Sequence, residues 1–340
     1  MDISRWRSHL TFRTLYVLLL GQLISFLYAL ASFTSSFIAT LGVDAPLSQM
    51  LSTYAGLALI YGTIMVFRRR GMQVPWYWYL LLGFVDVQGN YFINKAYQYT
   101  SITSVSMLQC WTIVWAIVLT FMFIGTRYSL WQLLGAALSV VGLGIVMLSD
   151  ADVGGGDSPR PVLGDSLVIV GTVFTATSNV SEEFCVKKKD RVEMLTMLGT
   201  FGFLFSVVEI SIFERDDIAS IKWSTELVLA LVGFVLSCIA IYSLTPFLLK
   251  MSGAAMFNLS AITAGLWSVV FRIFIYDQQV DWLYYFAFGV IIAGIVIYST
   301  SGKDMTHPST VGNGNVDQYH ELPSGNDTQP RTMDRVTSEE

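Results

Sequence analysis

Charge is what this sequence has least of. Aspartate, glutamate, lysine and arginine make up 13% of its 340 residues, against roughly 25% in a soluble domain. With 54% hydrophobic residues, too little polar side chain remains to wrap a core, which excludes an ordinary soluble protein. Disorder, collagen and coiled coil fail on the same composition. Histidine is almost missing. His9, His307 and His320 all fall in the hydrophilic ends, so the apolar body has no histidine for a catalytic triad or a metal cluster. Cysteine is equally sparse: Cys110, Cys185 and Cys238 lie in apolar stretches without CxxC spacing. They read as buried thiols rather than a disulfide framework or a zinc site. The net charge of −5 comes mostly from a hydrophilic tail and short loops, and no basic patch marks a nucleic-acid partner. No cofactor is implied.

What is there instead is a series of long charge-free intervals. A bilayer span takes about 20 apolar residues with few charges. In the first half, such intervals run between Arg13 and Asp44, Asp44 and Arg68, Arg70 and Asp86, Lys95 and Arg127, and Arg127 and Asp150. In the second half, they run between Asp165 and Glu182, Glu193 and Glu209, Glu226 and Lys250, Lys250 and Arg272, and Asp281 and Lys303. The pattern predicts an all-α polytopic membrane protein with ten transmembrane helices. The third, sixth and seventh intervals are short, so those spans must take in ionisable residues. The first apolar run far exceeds the h-region of a signal peptide and is predicted to stay in the membrane. Thirteen loop lysines and arginines fall on the N-terminal face against four on the other, which predicts both termini in the cytosol. Residues 303–340, rich in Pro, Asn, Asp, Ser, Thr and Glu, read as a disordered cytosolic tail. Within it, Tyr319-His320-Glu321-Leu322 fits a Tyr-x-x-aliphatic sorting pattern. Plasma membrane and endomembranes such as Golgi, endosome or vacuole both stay open.

An internal repeat appears at an offset of 150 residues, where Thr103–Ser149 lies over Gly253–Ser299. Phe121 meets Phe271, Gly144 meets Gly294, Val146 meets Val296 and Ser149 meets Ser299. Five spans per half is an odd number, so the halves would have opposite orientation in the membrane. The sequence thus predicts two five-helix inverted repeats: a cytosolic N-terminus at 1–13, a first repeat at 14–149, a connecting loop at 150–163, a second repeat at 164–302 and the tail. Inverted repeats place a substrate site near the midplane and expose it alternately by rocking one half against the other.

Four segments carry a family resemblance: Asn90–Tyr99 (NYFINKAYQY), Ser178–Phe184 (SNVSEEF), the basic run Lys187–Arg191, and Met251–Ser260 (MSGAAMFNLS). Together they resemble solute carrier family 35, subfamily F, of the drug/metabolite transporter superfamily, over about residues 12–301. The resemblance implies a ten-span carrier of two inverted repeats. It also exposes departures. Where relatives carry an acid in the fourth and ninth spans, this chain has Gln109 and Gly265, which favours uniport or exchange over proton symport. Where the nucleotide-sugar branch has an Asn-Lys pair, this chain has Asn258-Leu259, leaving a pyrophosphate without that lysine.

Ionisable residues inside a membrane are costly and count as functional candidates. Asp86, Asn90 and Asn94 recur at i, i+4 and i+8 on one face of the third span. That face serves either a substrate cavity or helix-to-helix hydrogen bonding. Lys95 either snorkels to the interface or lines the pocket, and the resemblance around Lys95 and Tyr97 points to the pocket. Asn258 in the ninth span completes the substrate-contact set. In the sixth span Glu182 shares a face with Ser178, and Glu183 with Asn179, one turn from Lys187–Lys189. Both glutamates are candidates for a cytosolic gate, or for ordinary i,i+4 pairs at a helix end. Glu209 and Arg272 are placed to neutralise each other across helices, and Tyr97, Tyr242, Trp111 and Trp115 to stack on an aromatic solute.

These features point to a secondary transporter of a small polar organic solute, nucleobase- or nucleoside-like, working by alternating access. Its expected partners are that solute and the lipid bilayer. A nucleotide-sugar or thiamine-like solute, or a non-transporting receptor or scaffold, are the alternatives. The scattered acids and the missing nucleophile–base motif argue against an enzyme.

Overall fold

The computed structural model describes residues 12–43, 45–69, 74–96, 99, 105, 108–151, 161–188, 190–215, 221, 223–267, 270–271 and 282–301. Tyr97, Arg272, residues 1–11, residues 152–160 of the connecting loop and the tail from 303 onward lie outside them. All regular structure among the described residues is helical, as lipid demands of a chain whose peptide groups must pair within their own segment. In chain order these are α1 (Phe12–Thr40), α2 (Pro46–Arg68), α3 (Trp76–Ala96), α4 (Trp111–Leu119, running on into a π-helical turn Thr120–Ile124), α5 (Leu130–Ala151), α6 (Pro161–Lys188), α7 (Arg191–Phe213), α8 (Thr225–Ile262) and α9 (Trp282–Ser301).

Local chemistry sets several boundaries. Pro46 opens α2, where its missing N–H costs nothing. Asp190 caps α7 by accepting from the Val192 N–H, and Ser224 caps α8 by accepting from the Leu227 N–H at 3.1 Å. Helices α1, α2, α6, α7 and α8 are each long and apolar enough to cross a membrane, while α4, α5 and α9 carry shorter apolar runs. Helix α3 is polar in its second half, where Asp86, Gln88, Asn90, Asn94 and Lys95 crowd together. Outward faces carry large apolar side chains, including Leu19, Phe67, Trp78, Phe123, Leu229 and Phe286, an exposure that only a hydrocarbon solvent tolerates on this scale.

Helix α8 has 38 residues, about 57 Å of α-helix against a hydrocarbon layer of about 30 Å. The break comes at Gly253, whose φ of 85° and ψ of 173° are open to glycine alone. Contacts with α1 show the chain reversing there. Before the break, Gly233 faces Thr34 and Leu248 faces Gly21, so this limb runs antiparallel to α1. After it, Thr263 accepts from Gln22 at 3.2 Å, Phe26 packs on Trp267 and Phe33 on Phe271, so the second limb runs with α1.

Two other pairs are antiparallel along their length. Helix α2 lies on α7, with Ser48 at Glu214, Tyr54 at Gly202, Gly62 at Thr196 and Arg68 at Asp190. Helix α5 lies on α9, with Gly135 at Gly294 and Tyr298, and Gly142 at Ile291. The α5–α9 contact is made of backbone: a Cβ on Gly135 would sit 2.7 Å from the Gly294 carbonyl oxygen, so no larger residue fits without parting the helices. Ser139 ties the pair by donating to the Ile291 carbonyl at 3.2 Å. Gly135→Leu is expected to cost about 1–3 kcal/mol by overpacking and to lower the unfolding midpoint in detergent. Gly144→Leu, at a position with nothing within 4 Å, is expected to leave that midpoint unchanged.

Candidate transport site

The third-span aspartate sits where four helices meet. Asp86 of α3 is 8% exposed, and a carboxyl at that depth needs donors. It has three. The Tyr54 hydroxyl of α2 donates to Oδ2 at 2.6 Å, the Tyr242 hydroxyl of α8 donates to Oδ2 at 2.8 Å, and the Ser178 hydroxyl of α6 donates to Oδ1 at 2.8 Å. Asn90, one turn along α3, donates to the Tyr54 oxygen at 3.3 Å and to the Asp86 carbonyl at 3.0 Å. The rings of Tyr54 and Tyr242 lie 6.1 Å apart and complete an aromatic wall beside the carboxyl. The arrangement presents hydroxyls, an amide and a carboxyl together, which suits a solute with several hydrogen-bonding edges and a planar body.

The remaining expected residues divide among separate places. Asn94 and Lys95 are half-buried farther along α3, and no described contact joins them to the Asp86 cluster. Tyr97 lies outside the described residues. Asn258 is buried in the second limb of α8, where it accepts from Asn179 of α6 at 3.0 Å and donates to the Ala254 carbonyl at 2.9 Å. Helix α6 therefore uses two adjacent faces: Ser178 and Glu182 turn toward α3, while Asn179 and Glu183 turn toward α8. Trp111 is about half exposed, and the Nε1 of Trp115 is buried with no hydrogen-bond partner among the described residues.

The two glutamates have unlike surroundings. Glu183, 1% exposed, accepts from the Ala254 N–H at 2.6 Å and from Lys187 one turn below. Its carboxyl thus caps the helix that restarts after Gly253, where the positive end of the helix dipole favours an anion. It packs against Gly253 so closely that a Cβ there would sit 2.9 Å from Oε1. Glu182, 2% exposed, has no hydrogen-bond partner among the described residues and faces Asp86, Tyr28 and Tyr242. Elsewhere, Glu193 of α7 accepts from the Val74 N–H and the Tyr79 hydroxyl, each at 3.1 Å. Glu209 accepts from Gln88; its expected partner Arg272 lies outside the described residues.

Sequence reasoning overlooked Tyr54. It is wholly buried, but in a run of small and apolar residues nothing distinguishes it from a packing tyrosine. Tyr242 was expected to stack, and its contribution to the cluster is its hydroxyl. A cavity of about 490 Å³ opens between α3, α4 and α6, lined by Trp78, Leu82, Leu119, Phe123, Thr177 and Phe184 among others. Neither Asp86, Asn90 nor Asn258 reaches it, and its apolar wall fits a hydrocarbon chain better than a polar solute. The polar cluster is therefore the candidate site.

Comparison with known proteins supplies the family. The model of the SLC35F group, described as solute carrier family 35, matches residues 10–300. The chain belongs to solute carrier family 35. Among curated relatives, this solute carrier is 33% identical over 317 residues to solute carrier family 35 member F2 of Mus musculus, covering 90% of the chain and 84% of the relative. It is 30% identical to the protein of that name in Xenopus tropicalis, covering 87% of the chain and 79% of the relative. A crystal structure superposes with a TM-score of 0.71 at 14% identity, covering 86% of this chain and 99% of that one, a likeness of fold. This solute carrier is an integral multi-pass membrane protein, and its family marks it as a transporter rather than an enzyme.

Two substitutions test the geometry. Tyr54→Phe removes one donor from Asp86, and a hydrogen bond to a charged group is worth about 1.5–3 kcal/mol. Its cost in thermal stability is expected to shrink to a few tenths of that in an Asp86→Leu background, giving a clear coupling in a double-mutant cycle. Glu183→Ala removes a helix cap worth about 1 kcal/mol together with the partner of Lys187. It is expected to lower the unfolding midpoint by more than Glu183→Gln does, since glutamine keeps an acceptor for the Ala254 N–H.

Proposed function

We propose that this solute carrier moves a small polar organic solute, nucleobase- or nucleoside-like, by alternating access, with Asp86 and Asn90 at the centre of its binding site. One observation carries the reading: the Asp86 cluster draws side chains from four helices, α2, α3, α6 and α8, so any relative movement of these helices remakes the site. A planar solute with donor and acceptor edges matches the hydroxyl, amide and carboxyl groups set beside the Tyr54 and Tyr242 rings.

The inverted repeat belongs to the same proposal. With α8 counted as two spans divided at Gly253, the helices among the described residues number ten, and the packing pattern supports a two-fold relation between halves of five. Helices that would correspond to each other, α2 with α7 and α5 with α9, pack antiparallel, as a two-fold axis in the membrane plane requires. Helix α1 lies against both limbs of α8, and α6 lies against both α3 and α4, which is the reciprocal arrangement. Together with the charge asymmetry of the loops, this supports cytosolic ends, with Lys187, Glu183 and the Gly253 turn near the cytosolic mouth.

Uptake into proteoliposomes tests the reading, using purines, pyrimidines and their nucleosides with counterflow as the readout. Saturable uptake is expected for at least one of them. Asn90→Ala is expected to raise its half-saturating concentration about ten-fold, the equivalent of one lost hydrogen bond of about 1.4 kcal/mol. No uptake of any solute, with cysteine reporters that never change their accessible side, would leave a receptor or scaffold as the better reading.

A further inference from the structure

Next to the hydrogen-bonded cluster lies a buried carboxyl that has no hydrogen bond among the described residues. Glu182 is 2% exposed, finds no hydrogen bond among the described residues, and stands one turn along α6 from the serine that binds Asp86. The titratable groups facing it are Tyr28 from α1, Asp86 from α3, Tyr242 from α8 and Cys185 on its own helix. Tyr54 from α2 faces Asp86, and Glu193 from α7 faces Cys185. Helix α4 presents no titratable side chain between Trp111 and Leu119. No lysine, arginine or histidine stands among these groups. The nearest base along α6, Lys187, is engaged by Glu183.

Resting on the alternating-access reading above, we infer that Asp86 and Glu182 form a one-proton site, and that the substrate-free carrier changes its open side only while that proton is bound. Two carboxyl groups buried one helical turn apart about Ser178, with no cation among the described groups around them, oppose being ionised together. Three hydroxyl donors satisfy a negative Asp86, whereas nothing described satisfies a negative Glu182, so the proton resides on Glu182. When one side opens, water reaches the pair and the Glu182 O–H bond can break. The proton passes to that water and the electron pair stays on the carboxylate. Occlusion removes the water and opposes the doubly negative pair, so closing requires a proton from solution or a positive group of the solute in its place.

The test uses the full-length protein in liposomes without solute, the proton being the only ligand. Single-cysteine reporters at the two mouths give the rate of side-switching by alkylation between pH 5 and 9. In the otherwise wild-type protein the rate is expected to fall at least ten-fold with rising pH in a single transition. In Glu182→Gln it is expected to be fast and flat, because the amide is neutral at every pH. In Asp86→Asn the transition is expected at lower pH, since the neighbouring charge that opposes deprotonation is gone. A pH-independent wild-type rate overturns the inference, as does a Glu182→Gln protein that keeps the wild-type profile. If Glu182→Gln does not fold, the wild-type and Asp86→Asn profiles decide. Absence of switching at every pH overturns alternating access itself, and this inference with it, an outcome distinct from switching that ignores pH.

Discussion

A carboxyl group placed in a hydrocarbon layer must be given donors or lose its charge, and around Asp86 that requirement gathers four helices. In aqueous solution water supplies such donors; here Tyr54, Ser178 and Tyr242 supply them. Each comes from a different helix. The cost of an unsatisfied acceptor in lipid is several kcal/mol, large enough to fix how α2, α3, α6 and α8 meet. The polar residues of α3 are thus also what hold it at the centre, with lipid left to the outer faces of the bundle.

Around that centre, two kinds of contact do different work. Backbone-to-backbone packing at Gly135 and Gly294 is specific in shape; it binds α5 to α9 without any charged group, the Ser139 hydroxyl being its tie to the Ile291 carbonyl. Contacts at the Gly253 turn are electrostatic. Glu183 satisfies both a helix N-terminus and a lysine, and both are surroundings that a change of helix tilt or of hydration would alter. A carrier needs rigid pairs that move as bodies and polar joints that can be remade, and the two occupy separate places in this fold. The tyrosine-lined carboxyl lies where α2, α3, α6 and α8 meet.

How much of this the sequence disclosed depended on the length scale of the signal. Charge-free intervals located the helices because the solvent, lipid, acts on every residue of a span at once. The break expected near Lys250 falls at Gly253, and the short third, sixth and seventh intervals marked the helices that bury acids: Asp86 on α3, Glu182 and Glu183 on α6, Glu193 and Glu209 on α7. Helical periodicity brought Asp86 and Asn90 to one face and separated Glu182 from Glu183, and the fold uses both separations. By contrast, polarity alone could not tell that Asn258 pairs with Asn179 of α6, apart from the hydroxyls around Asp86. Tyr54 gave no sign, because a buried tyrosine is ordinary until its hydroxyl is seen to point at a carboxylate.

The sequence by itself determined that the chain lives in a membrane, which segments are helical, and where charge would be expensive to bury. Those properties follow from solvation, which each residue feels through its own composition and that of its near neighbours. Only the tertiary structure decided how that expense is met: which hydroxyls turn to Asp86, that Glu183 caps a helix begun seventy residues later, and that Glu182 is left facing another acid. Such pairings join residues 32, 71, 92 and 156 positions apart in the chain, and no local pattern encodes a contact whose two halves meet only when separate helices pack.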